Sequence, residues 1–130
     1  LEQSIEILAQ LRSVGIGVSI DDFGIGYSSL GQLRRLPATG LKIDRSFIAN
    51  VPDDVSSGSI TEAIIAMAKS LKLRVVAEGV ETRQQLEFLR GCQCGAFQGY
   101  LFSRPLTALE ASAMLRAQAS GPAGRVTATG

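Results

Sequence analysis

Apolar and polar positions along the chain follow two different periods, which predict repeated strand–helix units. Apolar residues three or four positions apart predict helices over residues 1–13, 28–36, 60–71, 82–89 and 106–119. Short apolar runs predict strands over residues 16–20, 41–44, 73–77 and 96–102. No Asn-Gly turn of the kind that joins antiparallel strands is present. The pattern therefore favours an α/β fold with parallel strands.

The segments between these elements are richer in polar and small residues. Residues 45–51 are predicted to form a turn or short helix, residues 52–59 a polar loop, and residues 121–130 a frayed tail. Thr82 lies three positions before Gln85, which is the spacing of a capping box. The helix that follows Thr82 is therefore expected to begin there.

Polar residues stand where each predicted strand ends. Right-handed crossovers place the carboxyl ends of parallel strands at one edge of the sheet. The residues expected at this edge, called the rim here, are Asp21, Asp22, Lys42, Asp44, Glu78, Glu81 and Gln98. Asp44 and Glu81 could equally be ordinary acidic residues at helix N-termini. A buried strand has little reason to end in polar residues, so the pattern predicts that the rim binds a polar ligand.

Composition narrows the classes of function. The chain has 130 residues, enough for one domain, and 45% of them are hydrophobic, which argues against disorder. The net charge of +1 gives no electrostatic reason to expect binding to a nucleic acid polymer or a membrane surface. Neither a membrane-spanning run nor a signal peptide is visible. Cys92 and Cys94 are expected to be reduced thiols in a cytoplasmic protein.

The absence of histidine from the chain removes His-dependent catalysis and His-containing zinc sites. Asp21, Asp22 and Glu78 would repel one another unless a cation lay between them, and oxygen ligands favour magnesium or manganese. Two such ions about 3.5–4 Å apart can clamp a phosphoryl group and activate water. Lys42 could hold a phosphate oxygen or orient the water, and Gln98 could hydrogen-bond water or substrate. Metal-assisted phosphodiester hydrolysis fits this inventory.

Four motifs, in order and at compatible spacing, resemble those of EAL-domain cyclic di-GMP phosphodiesterases. They are DDFGIGYSSL at 21–30, LKIDRSF at 41–47, VVAEGVET at 75–82 and QGYLFSRPL at 98–106. The resemblance covers about residues 1–118. It implies a variant of the TIM barrel that hydrolyses cyclic di-GMP to linear pGpG with magnesium or manganese, two ions being expected in the complete domain.

The resemblance also implies roles for individual residues. Asp21 and Asp22 would be metal ligands, with Asp21 bridging two ions. Glu78 would be a metal ligand or the base that orients the attacking water. Lys42 would contact this water or the phosphate, and Gln98 would support the same water network.

Residues outside that set receive lesser roles from the same resemblance. Glu81 belongs to one of the motifs and is assigned a supporting role. Arg104 and Pro105 lie in a segment that could approach a guanine of the substrate. Ile25 stands where the family usually has threonine, so this chain lacks a hydroxyl in the loop that follows the aspartate pair.

The length departs most from the family pattern. A complete barrel needs about 250 residues, and the Glu-Ala-Leu signature is absent from this sequence. Residues 1–118 are therefore predicted to be the C-terminal part of an EAL domain, with a flexible tail at 119–130. The chain alone is predicted to be inactive and poorly soluble or oligomeric. The expected partners are cyclic di-GMP, the N-terminal half of the barrel, and a second copy in a homodimer.

Two other functions stay open. The chain could belong to a degenerate EAL domain that binds cyclic di-GMP without hydrolysing it. It could also be a protein-interaction module without a nucleotide. The presence of Asp21, Asp22, Lys42, Glu78 and Gln98 favours the phosphodiesterase, since a receptor could lose metal ligands and still bind nucleotide.

Overall fold

The parallel α/β architecture is seen in a computed structural model that describes residues 2–26 and 30–121. Within these residues the elements are, in order, α1 (Glu2–Ser13), β1 (Ser19–Phe23), α2 (Leu30–Arg35), β2 (Gly40–Ile43), α3 (Arg45–Ile48), α4 (Val55–Ser70), β3 (Arg74–Glu78), α5 (Arg83–Gly91), β4 (Ala96–Gln98) and α6 (Ala108–Ala119). The strands of this described part form one sheet in the order β1-β2-β3-β4, and every neighbouring pair is parallel. The predicted fold class is therefore confirmed.

The centre of the sheet is formed by β2 and β3, which pair in continuous register. Leu41 lies opposite Val75 and Ile43 lies opposite Ala77. Leu41, Ile43 and Ala77 have no exposed surface, and Val75 is 5% exposed. Ile65 of α4 belongs to the same apolar core. This buried centre holds the carboxyl ends of both strands in fixed positions.

The first strand lies three residues later than the sequence pattern predicts. Pairing with β2 begins at Ser19, opposite Gly40. Phe23 is buried, whereas Ile16 is 49% exposed. Burial of Phe23 draws the chain beyond residue 20 into the sheet, so the prediction of a strand over 16–20 was wrong in its bounds. The aspartate pair thus lies inside β1 and not after it.

The last strand is shorter than predicted. Strand β4 ends at Gln98, whereas the apolar pattern predicted a strand to residue 102. The amide of Leu101 donates to the carbonyl of Val80, and the amide of Phe102 donates back to Gly99. These bonds close a turn after Gln98, which ends the strand. The two central strands differ from their predicted bounds by one residue at each end.

The predicted polar loop at 52–59 was also wrong over its second half, because α4 begins at Val55. The carboxylate of Asp54 caps this helix by accepting from the amide of Ser57 at 2.7 Å. Gly58 is buried in the first turns, where an added Cβ would lie 3.4 Å from the ring of Phe88. Capping and this close packing stabilise a turn whose own residues have little helical preference.

Several local predictions are confirmed. A short helix, α3, occupies part of 45–51. Thr82 and Gln85 form the expected capping box at the start of α5, and Thr107 begins a second one at α6. The predicted start of the second helix at residues 28–29 and the tail beyond residue 121 lie outside the described residues.

The first and last helices cover little of the sheet. In the part of α1 and α6 that the structure describes, no residue is buried. Ile7 on α1 is 54% exposed, and Leu109 on α6 is 79% exposed. None of the described helices combines the length and the apolar character that crossing a membrane requires. The apolar face predicted for α1 is therefore present but largely uncovered.

Candidate metal centre

A bulge in β1 brings two successive aspartates to the rim. Ile20 pairs with Leu41 and Phe23 pairs with Ile43, so the register shifts between them. Asp22 has φ +50, a left-handed conformation that is uncommon for a residue other than glycine. Successive side chains of a regular strand point to opposite faces, and a bulge changes this alternation. The bulge therefore allows adjacent carboxylates to take part in one site.

Glu78, the last residue of β3, completes a cluster of three carboxylates. One oxygen from each of Asp21, Asp22 and Glu78 lies within 4.8 Å of the other two. The two aspartates are exposed and Glu78 is half-buried. The amide of Asp22 donates to Oδ1 of Asp21 at 2.9 Å, which fixes the first carboxylate against the backbone. The spacing is compatible with a shared cation.

Lys42, at the end of β2, lies between two of these carboxylates. Its Nζ is 3.4 Å from Oδ2 of Asp21, and it donates to Oε1 of Glu78. The hydrogen bond to Glu78, together with the charges of Glu78 and Asp21, raises the pKa of Lys42 against the opposing effect of burial. The ammonium group is therefore charged at neutral pH and balances only one of the three carboxylates when all are ionised.

The donor set fits a hard divalent cation. All three residues offer carboxylate oxygens, which magnesium and manganese prefer, and the described cluster includes no thiol or imidazole. Gln98 lies directly opposite Glu78 in the register of β3 and β4. Its half-buried carboxamide is therefore on the strand next to the cluster. The structure brings together Asp21, Asp22, Lys42 and Glu78, with Gln98 beside them.

Asp44, although predicted at the rim, does not belong to the carboxylate cluster. It is 9% exposed and caps α3, where its Oδ1 accepts from the amide of Ser46 at 2.7 Å. Hydrogen bonds from the hydroxyl and amide of Ser46 hold the pKa of Asp44 below its ordinary value. Of the two interpretations of Asp44, the helix N-terminal acid is the one that the structure supports.

Glu81 is exposed and is not part of the carboxylate cluster. Its amide donates to Oε1 of Gln85 at 2.8 Å, so its backbone belongs to the N-terminal cap of α5. Gln85 also donates through Nε2 to the carbonyls of Ile48 and Ala49, at 3.2 and 3.3 Å. The sequence revealed the capping box but gave no signal for this link to α3.

Arg104 and Pro105 follow β4 and are both exposed. The guanidinium carbon of Arg104 lies 4.9 Å from the centre of the Tyr100 ring, a cation–π arrangement. Tyr100 is 54% exposed, so its ring is accessible to a ligand. Tyr100 was not among the residues predicted from the sequence, although a tyrosine four residues before an arginine in one motif is a signal that could have indicated it.

Two further features lie apart from the rim. A groove of about 410 Å³ between α4 and α5 is lined by residues that include Glu62, Lys69 and Phe88, and it contains none of the rim residues. Cys92 and Cys94 are free, as predicted, and burial raises the pKa of both thiols. The groove also carries charged side chains, but none of its carboxylates belongs to the three-carboxylate cluster of the described residues.

Comparison with known proteins finds relatives over the part of the chain that contains the rim residues. The model of the EAL domain family matches residues 1–105. The chain is 56% identical over 117 residues to the cyclic di-GMP phosphodiesterase NbdA of Pseudomonas aeruginosa, covering 90% of this chain and 15% of that protein. The chain thus spans only a small part of this relative.

Solved structures agree with that comparison. The MucR phosphodiesterase of Pseudomonas aeruginosa, in complex with cyclic di-GMP, superposes with a TM-score of 0.79 at 50% identity, covering 85% of this chain and 44% of that one. The manganese and cyclic di-GMP complex of Klebsiella pneumoniae BlrP1 gives a TM-score of 0.71 at 36% identity, covering 79% and 26% respectively. The chain therefore corresponds to less than half of each structure.

Proposed function

This chain belongs to the EAL domain family, and we propose that it forms the C-terminal part of a domain that hydrolyses cyclic di-GMP to linear pGpG. The observation that carries the proposal is the cluster of Asp21, Asp22 and Glu78 within 4.8 Å, with Lys42 reaching two of them. The substrate is suggested by the names of relatives such as NbdA and by the ligand of the MucR structure.

Asp21, Asp22 and Glu78 are the residues that would hold magnesium or manganese, with Asp21 bridging two ions in the complete domain. The carboxylate donor set and the manganese in the BlrP1 complex support this assignment. Such ions, when bound, polarise a phosphoryl oxygen and lower the pKa of coordinated water. Loss of any one carboxylate would reduce both the charge and the number of ligands.

Lys42, Glu78 and Gln98 are proposed to act on the attacking water and the phosphate. Lys42 keeps its proton, because neighbouring carboxylates raise its pKa, so it supplies a fixed positive charge beside the phosphate oxygens. Glu78 can accept a proton from the attacking water as a general base. Gln98, which pairs with Glu78 on the neighbouring strand β4, can hold the same water by a hydrogen bond.

Arg104, Tyr100 and Pro105 are proposed to contact a guanine base. An arginine can donate two hydrogen bonds to the O6 and N7 atoms of guanine. The exposed Tyr100 ring beneath Arg104 holds the guanidinium group and offers a surface on which a base can stack. Glu81 keeps a supporting role through its backbone, at the segment that joins Glu78 to α5.

The test of this function uses this chain within a complete EAL domain. Asp21→Asn and Glu78→Gln should each lower the rate of pGpG formation by more than about 100-fold. Replacing a residue that only orients a metal ligand typically costs up to about that much. Glu87→Gln, at an exposed carboxylate of α5, should leave the rate unchanged. Product is measured by chromatography with manganese present. Binding of cyclic di-GMP without pGpG formation by the wild-type domain would identify a receptor and overturn the proposal.

The chain of 130 residues by itself is proposed to be inactive. Its described sheet has four strands, whereas a TIM barrel has eight, and the exposed apolar residues of α1 and α6 favour association. Purified chain should therefore form no pGpG from cyclic di-GMP with manganese, and should elute as more than a monomer. Turnover by the isolated chain would contradict this prediction.

A further inference from the structure

The short helix α3 contacts two glycines that follow the strands carrying the carboxylates. It follows β2 directly, and its residues Phe47 and Arg45 face Gly24 and Gly79 respectively. Gly24 comes two residues after Asp22, and Gly79 follows Glu78. The closer of these two contacts is that between Phe47 and Gly24.

The Phe47 ring lies against the backbone of Gly24. A Cβ added at Gly24 would lie 2.4 Å from Cε2 and 2.6 Å from Cζ of Phe47, closer than real Cβ atoms come. Gly24 also has φ +102, a conformation that other residues rarely adopt. The ring therefore occupies the space that a side chain would otherwise fill, and it limits how the turn can move towards α3.

The same turn determines the conformation of Asp22. The amide of Ile25 donates to the carbonyl of Asp22 at 3.2 Å, which closes a turn across Gly24. Asp22 itself has φ +50, and a conformation of this kind persists only where the surroundings impose it. The Phe47 ring, in contact with the middle of the turn, is the part of those surroundings contributed by α3.

Phe47 is in turn held by the core. Its carbonyl accepts from the hydroxyl of Thr61 at 3.4 Å, and Thr61 has no exposed surface. Ile48, the next residue of α3, also has none. The ring is therefore attached to a part of the molecule that does not depend on the rim.

From these contacts we infer that Phe47 is a positioning residue for Asp22. The ring holds the turn at Gly24 so that Asp22 keeps its left-handed conformation and its carboxylate stays beside those of Asp21 and Glu78. The consequence for metal binding depends on the proposed function, but the effect on the conformation of Asp22 does not.

The test compares two phenylalanines that each pack on a glycine. Phe47 packs on Gly24 at the rim, and Phe88 packs on Gly58 between α4 and α5. Phe47→Ala, Phe47→Leu and the control Phe88→Ala are prepared in a complete EAL domain that contains this chain. Thermal unfolding measures the stability lost by each variant. The nuclear Overhauser effect between the amide and Hα protons of Asp22 reports its φ without metal, and calorimetry measures manganese affinity.

Phe47→Ala should weaken the nuclear Overhauser effect between the amide and Hα protons of Asp22, because this effect is strong only at positive φ. The same variant should raise the manganese dissociation constant about tenfold. Phe47→Leu, which keeps a branched side chain near Gly24, should change the dissociation constant by less than about threefold. Phe88→Ala should lower stability without either change. An unaltered Asp22 in folded Phe47→Ala would overturn the inference. A wild-type domain that keeps the Asp22 signal but binds no manganese would count against the metal site alone.

Discussion

Replacing Gln85 with leucine tests the link between α3 and the segment that follows Glu78. Oε1 of Gln85 accepts from the amides of Glu81 and Thr82, at 2.8 and 3.1 Å. Nε2 donates to the carbonyls of Ile48 and Ala49, at 3.2 and 3.3 Å. Gln85 is only 6% exposed, so water cannot readily replace these partners. One side chain thus joins two segments that lie more than thirty positions apart in the sequence.

The expected loss follows from these four hydrogen bonds. Each such bond contributes about 1 kcal/mol, and a buried partner left without a bond costs about as much or more. The leucine side chain recovers about 1 kcal/mol through burial. The net loss for Gln85→Leu should therefore be about 3 kcal/mol, which corresponds to a fall in Tm of about 10 °C for a domain of this size.

Urea unfolding followed by circular dichroism measures this loss, with Gln84→Leu as the matched control. Gln84 precedes Gln85 on the same helix but is exposed, so its replacement should change the free energy of unfolding by less than about 0.5 kcal/mol. If Gln85→Leu differed from Gln84→Leu by no more than that amount, the four hydrogen bonds would contribute little to the stability of the fold.

Three further substitutions test the cap, the turn after β4 and the charge at the rim. The folded-state pKa of Asp44 is lowered, so the advantage of wild type over Asp44→Asn should be full above about pH 4 and decline as the pH falls further, measured by urea unfolding at several pH values; a constant difference would contradict this. Gly99→Ala places a Cβ 2.2 Å from the carbonyl oxygen of Val80 and should cost about 3 kcal/mol in thermal unfolding, whereas Gly95→Ala, with open space around it, should be nearly neutral. Lys42→Met removes an ammonium group that competes with a cation for the carboxylates, so calorimetry should show manganese bound about threefold more tightly. Formation of pGpG by the complete domain should nevertheless be lost. Weaker manganese binding would mean that Lys42 supports the metal site directly.

The parallel order and the position of the rim could be predicted because the central strands place a row of fully buried apolar residues on one face. Strand β3 appears in the sequence as a short apolar run that ends in Glu78, and β2 carries Lys42 next to its last residue, Ile43. Lys42 and Glu78 were therefore placed correctly at strand ends. The same pattern of polar residues at strand ends also placed the aspartate pair at this edge, and the motifs added their expected role as metal ligands.

The bulge at the aspartate pair could not be predicted from the pattern of polar and apolar residues. Alternation along a strand assigns neighbouring residues to opposite faces, and the first strand was predicted to end at residue 20. Burial of Phe23 extends β1 through Asp21 and Asp22, and the register shift then accommodates the extra residue. The cause is a tertiary contact, which a local pattern does not contain.

The start of α4 and the role of Asp44 show the same limit in local structure. The first turn of α4 contains serines and a glycine, which are typical of loops, and its stability comes from the Asp54 cap and from Phe88 packed on Gly58. Asp44 fitted both a rim ligand and a helix cap, since the residue type suits either role. Only its hydrogen bond with Ser46 distinguishes them.

The polar residues of the rim depend on buried neighbours for their positions. Lys42 stands between Leu41 and Ile43, and Glu78 follows Ala77, all three of these neighbours having no exposed surface. The cluster at the rim brings together three carboxylates and one ammonium group, so without a cation it opposes folding through repulsion between like charges. The apolar centre of the sheet offsets this repulsion, because it fixes the strand ends whether or not the charges are balanced. A cation that bound the cluster would relieve the repulsion and so stabilise the fold by an amount that grows with the logarithm of its affinity.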